Sequence, residues 1–411
     1  MMKTLALTLA LLGVPASQLF AQATNDASNV DDVRHDVRIH VGPFYVKPAF
    51  LVKELGVDSN VFNTAGDEKS DFTATVTPQA DIAIPMARRA LLKTTVGADL
   101  VYFATYASER SFDPQVRVRG EAYAQRFTFF VEDNYFNTRQ RPNYEIDLRS
   151  RHLENDLVGG VKVHATSRLS GEIGATQSDT RYAADAFFDG TSLQQTLNRT
   201  TTGLVGALHE RLSPLTTIGV KFDRLHDAFP YTPERDSDSY RVMPGVEFKP
   251  KALINGEAWV GYRSFTPDHP AVLPAFSGLV ADVGVSYALL GSTTFGASFH
   301  RDLIYSYEVD HPFFIDNSPG VSLRRELGGR FDTILSADRH RYDYRDLLTV
   351  PTTDRNRRND TTWVYGANVG YRFRNAARIG FGASYYTRKS NTATFVQYNG
   401  LRFGVTVNYG M

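Results

Sequence analysis

Apolar and polar residues alternate with a period of two along most of the chain, from about residue 44 to its end. The closing stretch is the clearest case, because a small or polar residue follows each of Leu401, Phe403, Val405, Val407 and Tyr409. The stretches 279–289 and 361–374 show the same pattern. This alternation predicts β-strands with one apolar and one polar face, whereas the period of an amphipathic helix is nearly absent.

The predicted strands run for about 10 to 15 residues, longer than the five or six usual in soluble sheets and suited to tilted membrane strands. Tight turns, such as 165–168 and 289–293, alternate with longer polar stretches, such as 137–151 and 347–360. Outer-membrane barrels have short periplasmic turns and long extracellular loops. We therefore predict an all-β fold, a transmembrane antiparallel β-barrel of about 18 strands, with about 16 as the alternative count.

The N-terminal stretch has the features of an export signal. Lys3 precedes an apolar run, and Ala21-Gln22-Ala23 offers a cleavage site, which predicts a signal peptide over residues 1–23. Residues 24–43 are polar and too few for a folded plug, so we expect a short periplasmic tail before a barrel over 44–411. Export without any cysteine favours the outer membrane of a Gram-negative cell.

Charge excludes one class of partner and leaves another open. Lys and Arg number 45, as do Asp and Glu, so no basic field would attract nucleic acid. The partners expected instead are outer-membrane lipid and lipopolysaccharide, the barrel-assembly machinery and, as a candidate, polysaccharide. The oligomeric state is open.

The polar face of the predicted strands should line a water-filled lumen, because barrels of about 16 to 18 strands leave an aqueous channel. Charges of both signs occur on this face, often two apart on one strand, which predicts a wall laced by ion pairs without strong ion selectivity. The predicted lumen-lining residues are Lys93, Asp99, Arg117, Arg119, Glu121, Glu154, Asp156, Lys162, Lys221, Asp223, Glu257, Arg263, Arg324, Glu326, Arg372 and Arg374.

The sequence lacks the common hydrolase motifs and contains no cysteine, so we predict no catalytic residue, no cofactor and no metal site. Three pairs of Asp and His begin successive predicted extracellular loops. His226 with Asp227 is one of them, and the other two are candidate ligand contacts: Asp268 with His269, and Asp310 with His311. Such pairs can activate water or bind a metal, but they are also ordinary turn residues. Nearby aromatic residues could stack on carbohydrate: Phe229, Tyr231, Phe265, Phe313 and Phe314.

One residue conflicts with the lipid-facing pattern. Arg301 lies in register with Phe295, Phe299, Leu303 and Tyr305, although a lipid-facing arginine costs roughly 2 to 4 kcal/mol at the bilayer midplane. A bulge at Arg301, or a position near the rim, is therefore expected.

A first strand leads into a turn with Asp58, Asn60, Val61 and Phe62, and a second strand carries Thr75 to Pro78. This opening resembles the putative β-barrel porin 2 family. The resemblance implies an outer-membrane protein, in a family of which some members accompany exopolysaccharide production. We therefore predict a passive channel for hydrophilic solutes that assists exopolysaccharide export, with a surface barrel enzyme or a non-conducting adhesion or scaffold barrel as alternatives.

Overall fold

The computed structural model describes residues 39–410 apart from 87–88, 251, 351–357, 374–376 and 394–395. The predicted signal peptide and most of the predicted tail lie outside this range. Within it, eighteen strands form one antiparallel barrel, which confirms the predicted fold class and the larger strand count. The strands are β1 (Phe44–Asp58), β2 (Asp71–Met86), β3 (Ala90–Phe103), β4 (Ser111–Ala124), β5 (Phe127–Thr138), β6 (His152–His164), β7 (Leu169–Tyr182), β8 (Arg199–Ser213), β9 (Thr216–Ala228), β10 (Ser237–Phe248), β11 (Ile254–Pro267), β12 (Phe276–Leu289), β13 (Thr293–Tyr305), β14 (Phe313–Leu327), β15 (Phe331–Arg345), β16 (Asn359–Arg372), β17 (Ala377–Ser390) and β18 (Tyr398–Tyr409).

The last strand closes the barrel. Strand β18 pairs with β17 on one side and with β1 on the other, where Phe50 lies opposite Tyr409 and Asp58 opposite Arg402. The pairing of β1 shifts register around Glu54, whose positive φ of 57° marks a bulge. Because every strand then has two neighbours over at least part of its length, few backbone groups are left unpaired toward lipid.

The two faces of the wall differ as the alternation predicts. Large apolar side chains such as Phe222, Tyr262, Phe381 and Leu401 are exposed on the outside, where lipid would cover them. Charged residues such as Asp223 and Asp332 are buried on the inside. Among the described residues no helix is long and apolar enough to cross a membrane, and α1 (Leu193–Leu197) is a single turn and a half within a loop.

The long connections follow the odd-numbered strands and the short turns follow the even-numbered ones, so the loops gather at one end of the barrel. Two segments at that end fold into the lumen. The first is the connection between β5 and β6, residues 139–151, which we call the inner loop. The second comprises residues 302–316 at the β13–β14 connection, which we call the hairpin tip. Its residues 313–316 stay paired with residues 342–345 of β15, while its β13 side has separated from β12.

The hairpin tip explains the position of Arg301. Strands β12 and β13 pair from Leu289 opposite Thr293 as far as Ala281 opposite Arg301, and the pairing stops there. Beyond this point β13 leaves the wall, and Arg301 Nε donates a hydrogen bond of 3.0 Å to the carbonyl of Leu279 on β12. Arg301 therefore lies where β13 leaves β12, and its guanidinium satisfies a carbonyl that has lost its strand partner.

Candidate functional site

The lumen contains a cavity of about 1050 Å3. At the extracellular end it is bounded by Asn143, Tyr144 and Ile146 of the inner loop, and at the other end it reaches the periplasmic turns at Ser167 and Lys249. Strands β6 to β16 supply its side wall, mostly through polar and charged residues. The cavity is thus a polar chamber open toward the periplasmic turns and bounded above by folded chain.

The structure places the predicted lumen residues on the inner face wherever it describes them. Glu154, Asp156, Lys162, Asp223, Glu257 and Arg263 line the cavity, and Lys221 lies beside it. Asp99 and Glu121 are buried in the wall. Arg374 lies outside the described residues. The remaining members of the set alternate with outward-facing apolar residues on their strands: Lys93, Arg117, Arg119, Arg324, Glu326 and Arg372.

The ion pairs of the wall mostly join different strands. Asp302 of β13 accepts from Arg241 of β10 at 2.9 Å and from Arg263 of β11 at 2.8 Å, and Arg241 also contacts Asp223 of β9 at 2.8 Å. Both guanidiniums are almost fully buried in this group. Such pairing compensates their desolvation and leaves little free charge to select ions.

The spacing within one strand predicts three ion pairs: Arg119 with Glu121, Lys221 with Asp223, and Arg324 with Glu326. Arg119 and Glu121 do contact each other, at 2.7 Å. Lys221 instead contacts Glu257 of β11 at 3.3 Å, and Glu326 contacts Arg372 of β16 at 2.7 Å. Each of these two partners lies two strands away, with β10 or β15 between them, so the partner depends on the alignment of strands that are not neighbours.

The inner loop is attached to the wall by buried polar contacts. Arg388 of β17 is fully buried and donates to Asp147 at 2.9 Å, to the Glu145 carbonyl at 3.0 Å and to Asp360 at 2.6 Å. On the other side of the loop, Asn63 donates to Asp147 at 2.8 Å. These contacts fix the loop across the extracellular mouth.

Glu145 is the most unusual group in the inner loop. Its Oε1 accepts from Ser306 of the hairpin tip at 2.5 Å, while its Oε2 is buried without a hydrogen-bond partner among the described residues. Burial raises the pKa of Glu145 to about 7. Its carboxyl is therefore partly protonated near neutral pH, in contact with the second segment that closes the lumen.

The hairpin tip is held by Arg235 and Tyr305. Arg235, 5% exposed, donates to the carbonyls of Thr196 at 3.0 Å and Ser306 at 2.7 Å, and also to the carbonyl of Glu308. Burial without a close carboxylate lowers the pKa of Arg235 to about 10. Tyr305 donates to Asp227 at 2.8 Å.

An apolar core fills the extracellular part of the lumen around these contacts. The sequence predicts an external loop over residues 137–151, and the inward position of Ile146 differs from that prediction. A signal was present in Ile146 and Leu148, two apolar residues in an otherwise polar stretch. The buried members of this core are Ile146, Tyr182, Ala186, Leu193, Leu197, Phe229, Phe265, Leu273, Leu303, Tyr305, Tyr307, Phe313 and Ile315, with Leu148 packed against them.

The second Asp-His pair, Asp310 with His311, is bound by other residues of the protein. His311 contacts Glu308 at 2.8 Å through Nδ1 and Asp346 at 3.1 Å through Nε2, and Glu308 also binds Arg358. Although burial opposes the charge, these carboxylates raise the pKa of His311. Asp310 contributes its carbonyl, which accepts from the Leu347 amide. The pair therefore belongs to the network that holds the hairpin tip.

The first Asp-His pair lies at the outer rim. The carbonyl of His269 accepts from two amides of the following turn, which is ordinary turn chemistry. Asp268 lies near His226 and Asp238, and these three are the group within the described part of the chain whose ligand atoms are close enough to hold a metal ion. All three face outward, away from the lumen.

The aromatic residues proposed for carbohydrate stacking are mostly inaccessible. The extracellular end of the lumen buries four of them: Phe229, Phe265, Phe313 and Phe314. Tyr231, 53% exposed, is the one accessible member of the set. The expected aromatic platform is therefore wrong for these four rings, because Phe265 packs against Phe313, and Phe229 and Phe314 pack against buried tyrosines.

Comparison with known proteins agrees with the fold. The profile of the family described as putative beta-barrel porin 2 matches residues 36–410. No protein with curated annotation matches the sequence.

Solved structures of similar shape are outer-membrane barrels with low sequence identity. OpdO of Pseudomonas aeruginosa has a TM-score of 0.48 at 11% identity, over 92% of this chain and 98% of its own. OpdK of the same organism, solved with vanillate, has 0.46 at 10%, over 89% and 98%. The FrpB iron transporter of Neisseria meningitidis has 0.46 at 8%, and the chain covers 64% of its length. Because the family profile spans nearly the whole barrel, the chain belongs to the putative β-barrel porin 2 family.

Proposed function

We propose that the protein is a gated outer-membrane channel for small hydrophilic solutes. The observation that carries this proposal is the polar cavity of about 1050 Å3, which reaches the periplasmic turns and ends against the inner loop and the hairpin tip. A barrel of about 18 strands is wide enough for an aqueous passage. The sequence predicts a passive channel, and our proposal adds that its extracellular end opens and closes.

The character of the wall supports a small and weakly charged solute. Arg241 and Arg263 are balanced by Asp223 and Asp302, so no ring of one charge sign faces the cavity. Cavities of roughly 300–1,000 Å3 accommodate molecules of drug size. Neutral or zwitterionic solutes, including short saccharides, fit these properties better than ions or polymers.

An accessory role in exopolysaccharide export rests on the family resemblance alone. A polymer would need both closing segments to leave the lumen, and the aromatic residues that could have guided it are buried. We propose no catalytic role for the Asp-His pairs, because His311 is held between two carboxylates and the His269 carbonyl belongs to a turn. A non-conducting scaffold remains the alternative that the experiment must exclude.

Planar-bilayer conductance of the refolded protein tests the channel. We expect the unaltered protein to give rare or small unitary currents, since the mouth is closed. Deleting residues 143–146 of the inner loop removes Glu145 and Ile146, which contact the hairpin tip through Ser306 and the apolar core. Both closing segments then lose contacts, so the currents should become large and persistent.

A deletion of equal length provides the control. Residues 65–68 lie in the loop after β1 and are exposed, so their removal should leave the current unchanged. Heat-modifiable migration on gels shows that each variant has folded. A folded inner-loop variant that carries no current would overturn the channel and favour the scaffold.

A further inference from the structure

Strands β12 and β13 each have a free edge at the extracellular side of the wall. Their pairing ends at Ala281 opposite Arg301. Strand β12 continues to Phe276 with β11 as its partner, and β13 continues to Tyr305 with β14 as its partner. Residues 276–280 and 302–305 therefore have no strand partner among the described residues on the sides that would face each other.

A free strand edge at lipid depth is unfavourable, because lipid offers no hydrogen bonds to unpaired backbone groups. Leu279, on this edge, is 64% exposed on the outside of the barrel. The Arg301 guanidinium satisfies the Leu279 carbonyl, but the neighbouring groups gain no such partner from β13. The wall thus contains a site that is complementary to another strand.

The hairpin tip has the sequence to fill this site. Continuing the existing register would place Leu279 opposite Leu303 and Ser277 opposite Tyr305. Leu303 and Tyr305 would then share the outer face of β13 with Phe295 and Phe299, which are exposed there.

The adjoining strand of the tip behaves in the same way. Phe313 and Ile315 would share the outer face of β14 with Val321, which is exposed. In the present structure these apolar side chains are buried in the apolar core at the extracellular end of the lumen. The same residues are therefore suited to two environments, the apolar core inside the lumen and the lipid outside the barrel.

We propose that the hairpin tip is the gate of the channel, and that it opens by leaving the lumen and pairing with the free edge of β12. This inference rests on the channel function proposed above and adds how the passage is controlled. Opening forms the missing pairing between β12 and β13, and it breaks the buried contacts that hold the tip in the lumen. A switch between two packings of one segment needs only a small difference in free energy between them.

Arg235 belongs to the closed arrangement alone. Its buried guanidinium holds the carbonyls of Ser306 and Glu308, which would move away with the tip. Asp302 lies at the root of the tip and contacts Arg241 and Arg263 from the inner face, so it can serve as the pivot. Arg235 is thus a positioning residue, and its loss should favour the open gate.

Engineered disulfides test the gate directly, since the natural chain has no cysteine. Residues directly opposite on paired strands have Cβ atoms about 4.5–5.5 Å apart, within reach of a disulfide after slight adjustment. In the Leu279→Cys/Leu303→Cys variant the disulfide should form only when the tip lies in the wall. Oxidation should then convert rare openings into a persistent unitary current, and reduction should reverse the change.

The Val283→Cys/Phe299→Cys variant is the matched control, because these residues already lie opposite each other on the same two strands. It should form the disulfide without any change in current. Adding Arg235→Ala to the Leu279/Leu303 pair should speed disulfide formation several-fold. Adding Lys69→Ala, which removes an exposed charge that pairs with Asp67 in the loop after β1, should not.

Two results would contradict the proposed gate. Either the Leu279/Leu303 disulfide does not form under conditions in which the control pair reacts fully, or it forms without raising the current. Either result leaves the channel itself intact when the inner-loop deletion conducts. If that deletion carries no current, the channel fails, irrespective of the disulfides.

Discussion

At the scale of single residues, buried charges decide whether the extracellular end is closed. Arg388 joins the inner loop to two strands through Asp147 and Asp360. Removing one partner of a buried ion pair is costly, at about 3–5 kcal/mol, because the charges left behind lose their compensation. The inner loop should therefore depend on this one side chain.

Replacing Arg388 by Met should release the inner loop, since Asp147 and Asp360 would lose their shared cation. The expected result is rapid tryptic cleavage after Arg139 or Arg149 in liposomes that present the extracellular side, together with larger currents. Arg341→Met serves as the control because its side chain lies on the outer face. If trypsin cleaved the inner loop equally slowly in Arg388→Met and Arg341→Met, the proposed role of Arg388 would be contradicted.

The pKa values of Glu145 and His311 predict a pH dependence of closure. Glu145 is protonated more readily in the closed form, so closure weakens as pH rises from about 4.5 to about 7. His311, facing Glu308, Asp346 and Arg358, has a raised pKa, so its contribution is complete below about 6.5 and is lost above that value. Both shifts have the same sign.

The open fraction measured in bilayers should therefore rise between pH 5 and pH 8. Glu145→Gln keeps a neutral hydrogen-bonding group beside Ser306, so this variant should stay closed to higher pH than the unaltered protein. His311→Gln should remove the part of the change above about pH 6.5. Superimposable pH profiles for all three proteins would refute the assignment.

At the scale of the strands, close packing on the inner face depends on small residues. Trp259 of β11 is 1% exposed and lies over Gly245 of β10, where an added Cβ would meet the indole at 2.4 Å. Its Nε1 donates to Glu257 at 2.6 Å, and Lys221 Nζ lies 4.0 Å from the ring centroid. The glycine thus makes room for an aromatic group that orders the neighbouring charges.

Gly245→Ala should displace Trp259 and lower the free energy of unfolding by about 1–3 kcal/mol, the usual cost of overpacking. Gly284→Ala is the control, because a Cβ at that inner-face glycine meets nothing within 4 Å. The urea midpoint and the tryptophan emission maximum measure the effect. A similar midpoint for both variants would show that the strands can adjust without cost.

At the scale of the whole molecule, β18 completes the barrel. Its outer face carries Leu401, Phe403 and Tyr409, all partly exposed, and Tyr409 lies opposite both Phe50 and Ala377. We propose that this alternating strand, with Tyr409 near its end, carries the signal by which the barrel is assembled.

Tyr409→Ala should lower the heat-modifiable folded fraction in cells, because the assembly machinery would bind the last strand less well. Leu401→Ala is the control, since it removes an outward apolar side chain at the other end of the same strand. An unchanged folded fraction in Tyr409→Ala would mean that the signal lies elsewhere.

The sequence determined the barrel. Strict alternation fixes which face of each strand is apolar, and the alternation of turns and loops fixes topology and strand number, since both are local properties. The family resemblance carried by Asp58, Asn60, Val61 and Phe62 was confirmed as well.

Tertiary structure alone decided how the lumen is filled. Alternation marks Leu303 and Tyr305 as outward-facing, but it does not say whether lipid or a plug will bury them. The sequence of the loop around Glu145 has no periodic pattern that would show that the residue lies inside the lumen. The partner of Lys221 depends on the position of β11, which is distant from it in sequence. These features arise from contacts between segments far apart in the chain, and a local pattern carries no information about such contacts.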